Sequence, residues 1–90
     1  MLSEAHNLFI KSLGLITEPN SGESLVEISG DQRVLVENHK GVVSYSGENV
    51  RIRTTYGLLS IAGLKLEVVF MTEQQLVITG VICGISIERG

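Results

Sequence analysis

The chain has 90 residues, enough for one small domain and too few for two separate cores. Hydrophobic residues make up 43% and charged residues 19%, a balance that excludes an intrinsically disordered chain. Seven Lys and Arg against ten Asp and Glu give a formal net charge of −3, which argues against a surface built to neutralise nucleic-acid phosphates. The single cysteine, Cys83, excludes an internal disulfide and a multi-cysteine zinc site.

The first residues show no basic segment followed by an apolar run, because Glu4 and Lys11 interrupt the pattern of a secretory signal. No window approaches the ~18 consecutive apolar residues of a membrane span. A cytoplasmic protein without a direct span is therefore expected, with Cys83 as a free thiol.

In chain order, Ala5, Leu8, Phe9 and Leu13 recur at spacings of three and four, with Leu2 in front and Glu4, Asn7 and Lys11 opposite. Ser3 is an N-cap candidate and Gly14 sits where a left-handed C-cap belongs. Residues 1–16 are expected to form a short amphipathic helix, with Leu15 and Ile16 extending its apolar side. Residues 17–24, with the only proline at Pro19, read as a linker, and residues 25–90 as an all-β domain.

Eight short β-like runs follow, at 25–29, 33–37, 42–45, 50–54, 58–62, 66–70, 76–79 and 82–87. Their spacing predicts a compact sandwich or β-roll of seven or eight strands, with a β-solenoid as the alternative. Period-two alternation places Val50, Ile52 and Thr54 on one face and Arg51 and Arg53 on the other. It likewise groups Leu64, Leu66, Val68 and Phe70, leaving Val69 and Met71 on the polar side. Val42-Val43, Leu58-Leu59 and Val81-Ile82 are apolar on both faces, the mark of a central or covered strand.

Candidate chemistry is sparse. Asp31, the only aspartate, follows Gly30 and reads as a turn residue. Pairing Cys83 with His39 as nucleophile and base is opposed by the apolar run around Cys83, which predicts an inert buried thiol. Glu37 and His39 supply at most two metal ligands. Gly57 and Gly63 do not form a phosphate loop, because Leu64 stands where its lysine belongs. With only Phe9, Tyr45, Tyr56 and Phe70 as aromatics, no stacking platform for bases is available. No catalytic residue, metal or cofactor is expected, and the chain reads as an adaptor or assembly subunit. Arg51 and Arg53 share a strand face, either balanced by glutamates such as Glu37, Glu48 and Glu67 or serving as a docking patch for an acidic partner. The run 82–87 carries neither proline nor inward charge to discourage edge pairing, so self-association is also expected as possible chemistry of the backbone.

Several motifs occur in a fixed order: Glu37-Asn38-His39-Lys40-Gly41, a strand ending at Thr54, Gly57-Leu58-Leu59-Ser60-Ile61-Ala62-Gly63, Leu66, and Ile78-Thr79-Gly80-Val81-Ile82. In this order they resemble the YabP/YqfC family of sporulation proteins over residues 28–87, and the Glu-Asn-His-Lys-Gly turn resembles the YqfC branch. The resemblance implies a non-enzymatic role in endospore formation in the mother cell. It also implies a membrane-anchored sporulation protein as partner, with docking at the outer forespore membrane. It carries over no catalytic residues. Asn38, Gly41, Gly57, Gly63 and Gly80 are its turn or bulge positions, and His39 is expected to be exposed and available to a partner, alongside Arg51 and Arg53.

Overall fold

The structure is a computed structural model and describes residues 22–89; the helix expected over 1–16 lies outside the described residues. Six strands follow in order: β1 (Leu25–Ser29), β2 (Arg33–Glu37), β3 (Val42–Tyr45), β4 (Asn49–Thr54), β5 (Gly57–Met71) and β6 (Gln75–Glu88). They form one antiparallel sheet in the order β1-β2-β6-β5-β4-β3. Every pairing is antiparallel, which overturns the solenoid alternative, since solenoids stack their repeats in parallel coils.

The eight expected runs are six strands because Gly63 and Gly80 lie inside strands and do not end them. β5 and β6 form one long hairpin that serves two layers. β2 pairs with β6 only from Gln75 to Thr79, and β4 pairs with β5 only from Gly57 to Ala62. One layer is therefore β1, β2 and the turn-proximal half of the hairpin. The other is β3, β4 and the turn-distal half. Val34, Val36, Leu76 and Ile78 of the first layer join Val50, Ile52, Leu59, Ile61 and Leu66 in a single buried cluster. The sheet is thus bent over on its own apolar face.

The bend has a local cause. On β5, Lys65 takes a left-handed φ of 53°, and the register shifts between Leu64 and Glu67. Opposite it, Gly80 has φ 137°, and a Cβ there would stand 2.6 Å from the Lys65 carbonyl oxygen. Only glycine accepts both the φ and the close approach.

Bulges also correct the expected faces. Val50, Ile52 and Thr54 are buried as a set, as alternation predicts. In 64–70 the phase is lost: Leu66 is buried, but Leu64 is 54% and Phe70 49% exposed. The Lys65 irregularity and a second shift between Val68 and Phe70 each add a residue to β5. Val43, Val69 and Cys83 are each the extra residue at a register shift, and each is exposed. The buried thiol expected at Cys83 is therefore corrected to an exposed one. Val42-Val43, expected in a central or covered strand, lies instead on edge strand β3.

Candidate functional site

The Glu37-Asn38-His39-Lys40-Gly41 segment carries the chain from β2 in one layer to β3 in the other. Asn38 adopts φ 56°, a conformation asparagine tolerates better than most residues. Its side chain donates to the Glu23 carbonyl at 2.9 Å, and its own carbonyl accepts from the Ser24 hydroxyl at 2.8 Å. Ser24 also accepts from the Thr55 amide at 3.0 Å, so the end of the expected linker is fixed at the start of β1.

His39 sits at the centre of this joint. The residue is 7% exposed, which corrects the expectation of an exposed one. Nδ1 accepts from the Gly41 amide at 3.1 Å, which leaves Nε2 as the protonated nitrogen, donating to the Thr72 carbonyl at 2.8 Å. The imidazole thereby ties the interlayer crossing to the β5–β6 turn. Both nitrogens are used internally, and the buried ring offers no surface to a partner. The Lys40 amide donates to the Arg53 carbonyl and the Arg53 amide to the Gly41 carbonyl, at 2.7 and 2.8 Å.

Arg51 and Arg53 share the outer face of the β3-β4 layer. Cross-strand register sets Arg53 beside Leu58 and Glu88, and Arg51 beside Ser60 and Ser86. The next row is Asn49, Ala62 and Gly84, so small side chains make a flat shelf next to two guanidinium groups. Asn49 donates to the Ser60 hydroxyl at 3.2 Å. Arg51 Nη2 lies 3.6 Å from Glu88 Oε1, a solvent-exposed pair that contributes little to stability. The glutamate beside the arginines is Glu88, not the expected Glu37, Glu48 or Glu67. Glu37 accepts from Gln75 Nε2 at 3.0 Å on the other layer. Beside the shelf, a shallow hollow is lined by Arg53, Tyr56, Leu58, Glu88 and Arg89. Desolvation holds the Tyr56 phenol above its ordinary pKa, reinforced by Glu23, whose carboxylate accepts its hydrogen bond at 3.2 Å.

The structure therefore brings Arg51 and Arg53 together and separates them from the His39 ring, although the backbone of the His39 segment runs beside Arg53. Among the described residues, no group of three or more His, Cys, Asp or Glu could hold a metal ion. The shelf of Ser60, Ala62, Gly84 and Ser86 was not singled out from the sequence. Its signal was the coincidence of small residues on two strands whose register only the fold supplies.

Compared with known families, the YabP family matches over residues 20–90. The chain belongs to the YabP family. This span contains the interlayer joint, the bend and the arginine shelf, so all the architecture described above is that of a YabP family domain. Membership suggests a sporulation-associated role. No curated protein and no solved structure matches the chain. Among the described residues, no helix is long and apolar enough to cross a membrane.

Proposed function

We propose that this YabP family member is a non-enzymatic assembly or adaptor factor of endospore formation, of the YqfC-like branch, acting in the mother cell. Its outer shelf docks an acidic segment of a membrane-anchored sporulation protein, which recruits it to the outer forespore membrane. The observation that carries the reading is the pairing of Arg51 and Arg53 on one flat, solvent-facing sheet surface. Two guanidinium groups on a rigid strand give geometric selectivity for carboxylates, which lysines on loops do not. Family membership supports the sporulation setting.

The test is affinity capture from sporulating cells with the Arg51→Glu, Arg53→Glu chain, read by mass spectrometry. The wild-type chain is expected to retain a membrane-anchored partner that the charge-reversed chain loses, with a matching sporulation defect. Unchanged partner recovery together with normal sporulation would sink the reading.

A second reading, self-association into a polymer or ring in the developing spore envelope, is favoured by one edge. Among the described residues, β6 beyond Ile82 pairs only with β5, leaving its other side open. The other edges carry protective features: β3 is bulged at Val43, the β5 edge is capped by the Tyr45 hydroxyl on the Val68 amide, and β1 is five residues long with Glu27 at its middle. Negative-stain images of the purified protein are expected to show regular assemblies that Ser86→Lys abolishes. A strict monomer at high concentration would remove this reading.

A further inference from the structure

Beyond Ile82, β6 leaves the β1-β2 layer and runs as the margin of the β3-β4 layer. The Ile82 amide still donates to the Asp31 carbonyl at 2.7 Å, but among the described residues nothing pairs with the free side of residues 84–88. This margin interrupts the core without finishing it. Ile52, Leu59 and Ile87 form one cross-strand row on the core-facing side of the layer, and Val50, Ile61 and Ile85 form the next. Val50, Ile52, Leu59 and Ile61 are fully buried, whereas Ile85 is half-buried and Ile87 is 42% exposed. On the opposite face the margin carries only Gly84, Ser86 and Glu88.

We propose that a second copy of this chain occupies the margin, β6 against β6, antiparallel about a two-fold axis at Ser86. The contact rests on the self-association reading and fixes its first step as a closed dimer, because the same surface is used on both sides. Only another strand supplies alternating N–H and C=O groups at the spacing that a sheet edge needs.

Self-complementarity selects the second copy and the register. With Ser86 opposite Ser86, Ile85 stands opposite the second copy's Ile87, and Ile87 opposite its Ile85. Each apolar row then runs through the seam into the other row of the second copy, and the exposed Ile87 is covered. On the outer face Glu88 falls opposite Gly84, where a Cβ would meet nothing within 4 Å, so the carboxylate has room. The two Glu88 residues stand about 14 Å apart, too far for strong repulsion. Arg89 falls opposite Cys83, one residue from Ile82 and hence near Asp31, an opposite charge. Neighbouring registers lose these matches. Centring on Ile85 sets Glu88 against Ile82, whose amide is already bonded, and centring on Ile87 sets Ile85 against Arg89.

The experiment uses the full chain in a Cys83→Ser background, since that thiol is exposed. At the axis, Ser86→Cys places thiols on two residues whose Cα atoms are about 5 Å apart, within disulfide range. Gly84→Cys, on the same strand, stands about 14 Å from its counterpart and faces Glu88 of the second copy. Under diamide, Ser86→Cys is expected to form dimers at least about tenfold faster than Gly84→Cys alone, followed on non-reducing gels. A mixture of Gly84→Cys and Glu88→Cys chains is expected to recover the fast rate, so a folding defect in one variant does not decide the outcome. Sedimentation of the unsubstituted chain is expected to give a dimer that does not grow with concentration. Equal rates for Ser86→Cys and Gly84→Cys, with assemblies still seen in sedimentation, would overturn this contact and leave the self-association reading standing. A strict monomer would overturn both.

Discussion

At the residue scale, His39 shows how a signature histidine can be structural. Its two nitrogens satisfy the Gly41 amide and the Thr72 carbonyl, both near a buried crossing between layers. Truncation to alanine orphans both backbone groups and leaves a void, so His39→Ala is expected to cost about 2–4 kcal/mol. Urea unfolding of the two proteins checks this; an unchanged midpoint would contradict the assigned bonds. The sequence could not reveal this burial, because the Asn38–Gly41 stretch has the composition of a surface turn. What buries His39 is a partner 33 residues away, Thr72, brought close only by the completed hairpin. Arg51 and Arg53 were legible because they lie in an unbroken alternating run, whose partner β5 keeps a regular register from Gly57 to Ala62.

At the element scale, the long hairpin is the part that alternation reads least well. Gly63 and Gly80 look like strand ends, yet they are the positions where two strands turn together without stopping. A single inserted residue reverses which side chains point inward, and β5 and β6 contain three register shifts. That is why Phe70 and Leu64 emerge on the surface although simple counting groups them with buried Leu66. The glycines can be distinguished by experiment. Gly80→Ala forces a Cβ against the Lys65 carbonyl at a φ of 137°, and a loss of at least about 3 kcal/mol is expected. A Cβ at Gly84 meets nothing within 4 Å, so Gly84→Ala is expected to be nearly neutral, within about 0.5 kcal/mol. Thermal unfolding of both variants separates a bend glycine from a shelf glycine.

At the scale of the whole molecule, the all-β class and the positions of the first four strands follow from short apolar runs divided by turn residues, while the merging of the last four runs into two strands does not. Fold and surface also divide the labour of the sequence. The joint at residues 37–41 and the bend at 63–66 use up the most recognisable motif residues in holding the architecture. The surfaces left for recognition are made of less distinctive residues: two arginines above a row of small side chains, and the open margin of β6. Charge reversal at Arg51 and Arg53 is accordingly expected to alter partner capture without shifting the unfolding midpoint by more than about 0.5 kcal/mol, since both lie on the solvent-facing side of β4. A large loss of stability in that variant would mean the pair is structural.

The shared hairpin also governs how the molecule comes apart. Each layer borrows its two inner strands from the same pair of segments, so neither layer can detach as an independent folding unit. In native-state amide hydrogen exchange, the slowest protons of Ile61 and Ile78, on opposite sides of the bend, are expected to share one opening free energy equal to that of global unfolding. Insertions follow the same logic. Neither the turn at residues 72–74, whose Thr72 and Gln74 carbonyls accept from His39 Nε2 and the Asn38 amide, nor the bend at 63–66 is expected to accept extra residues.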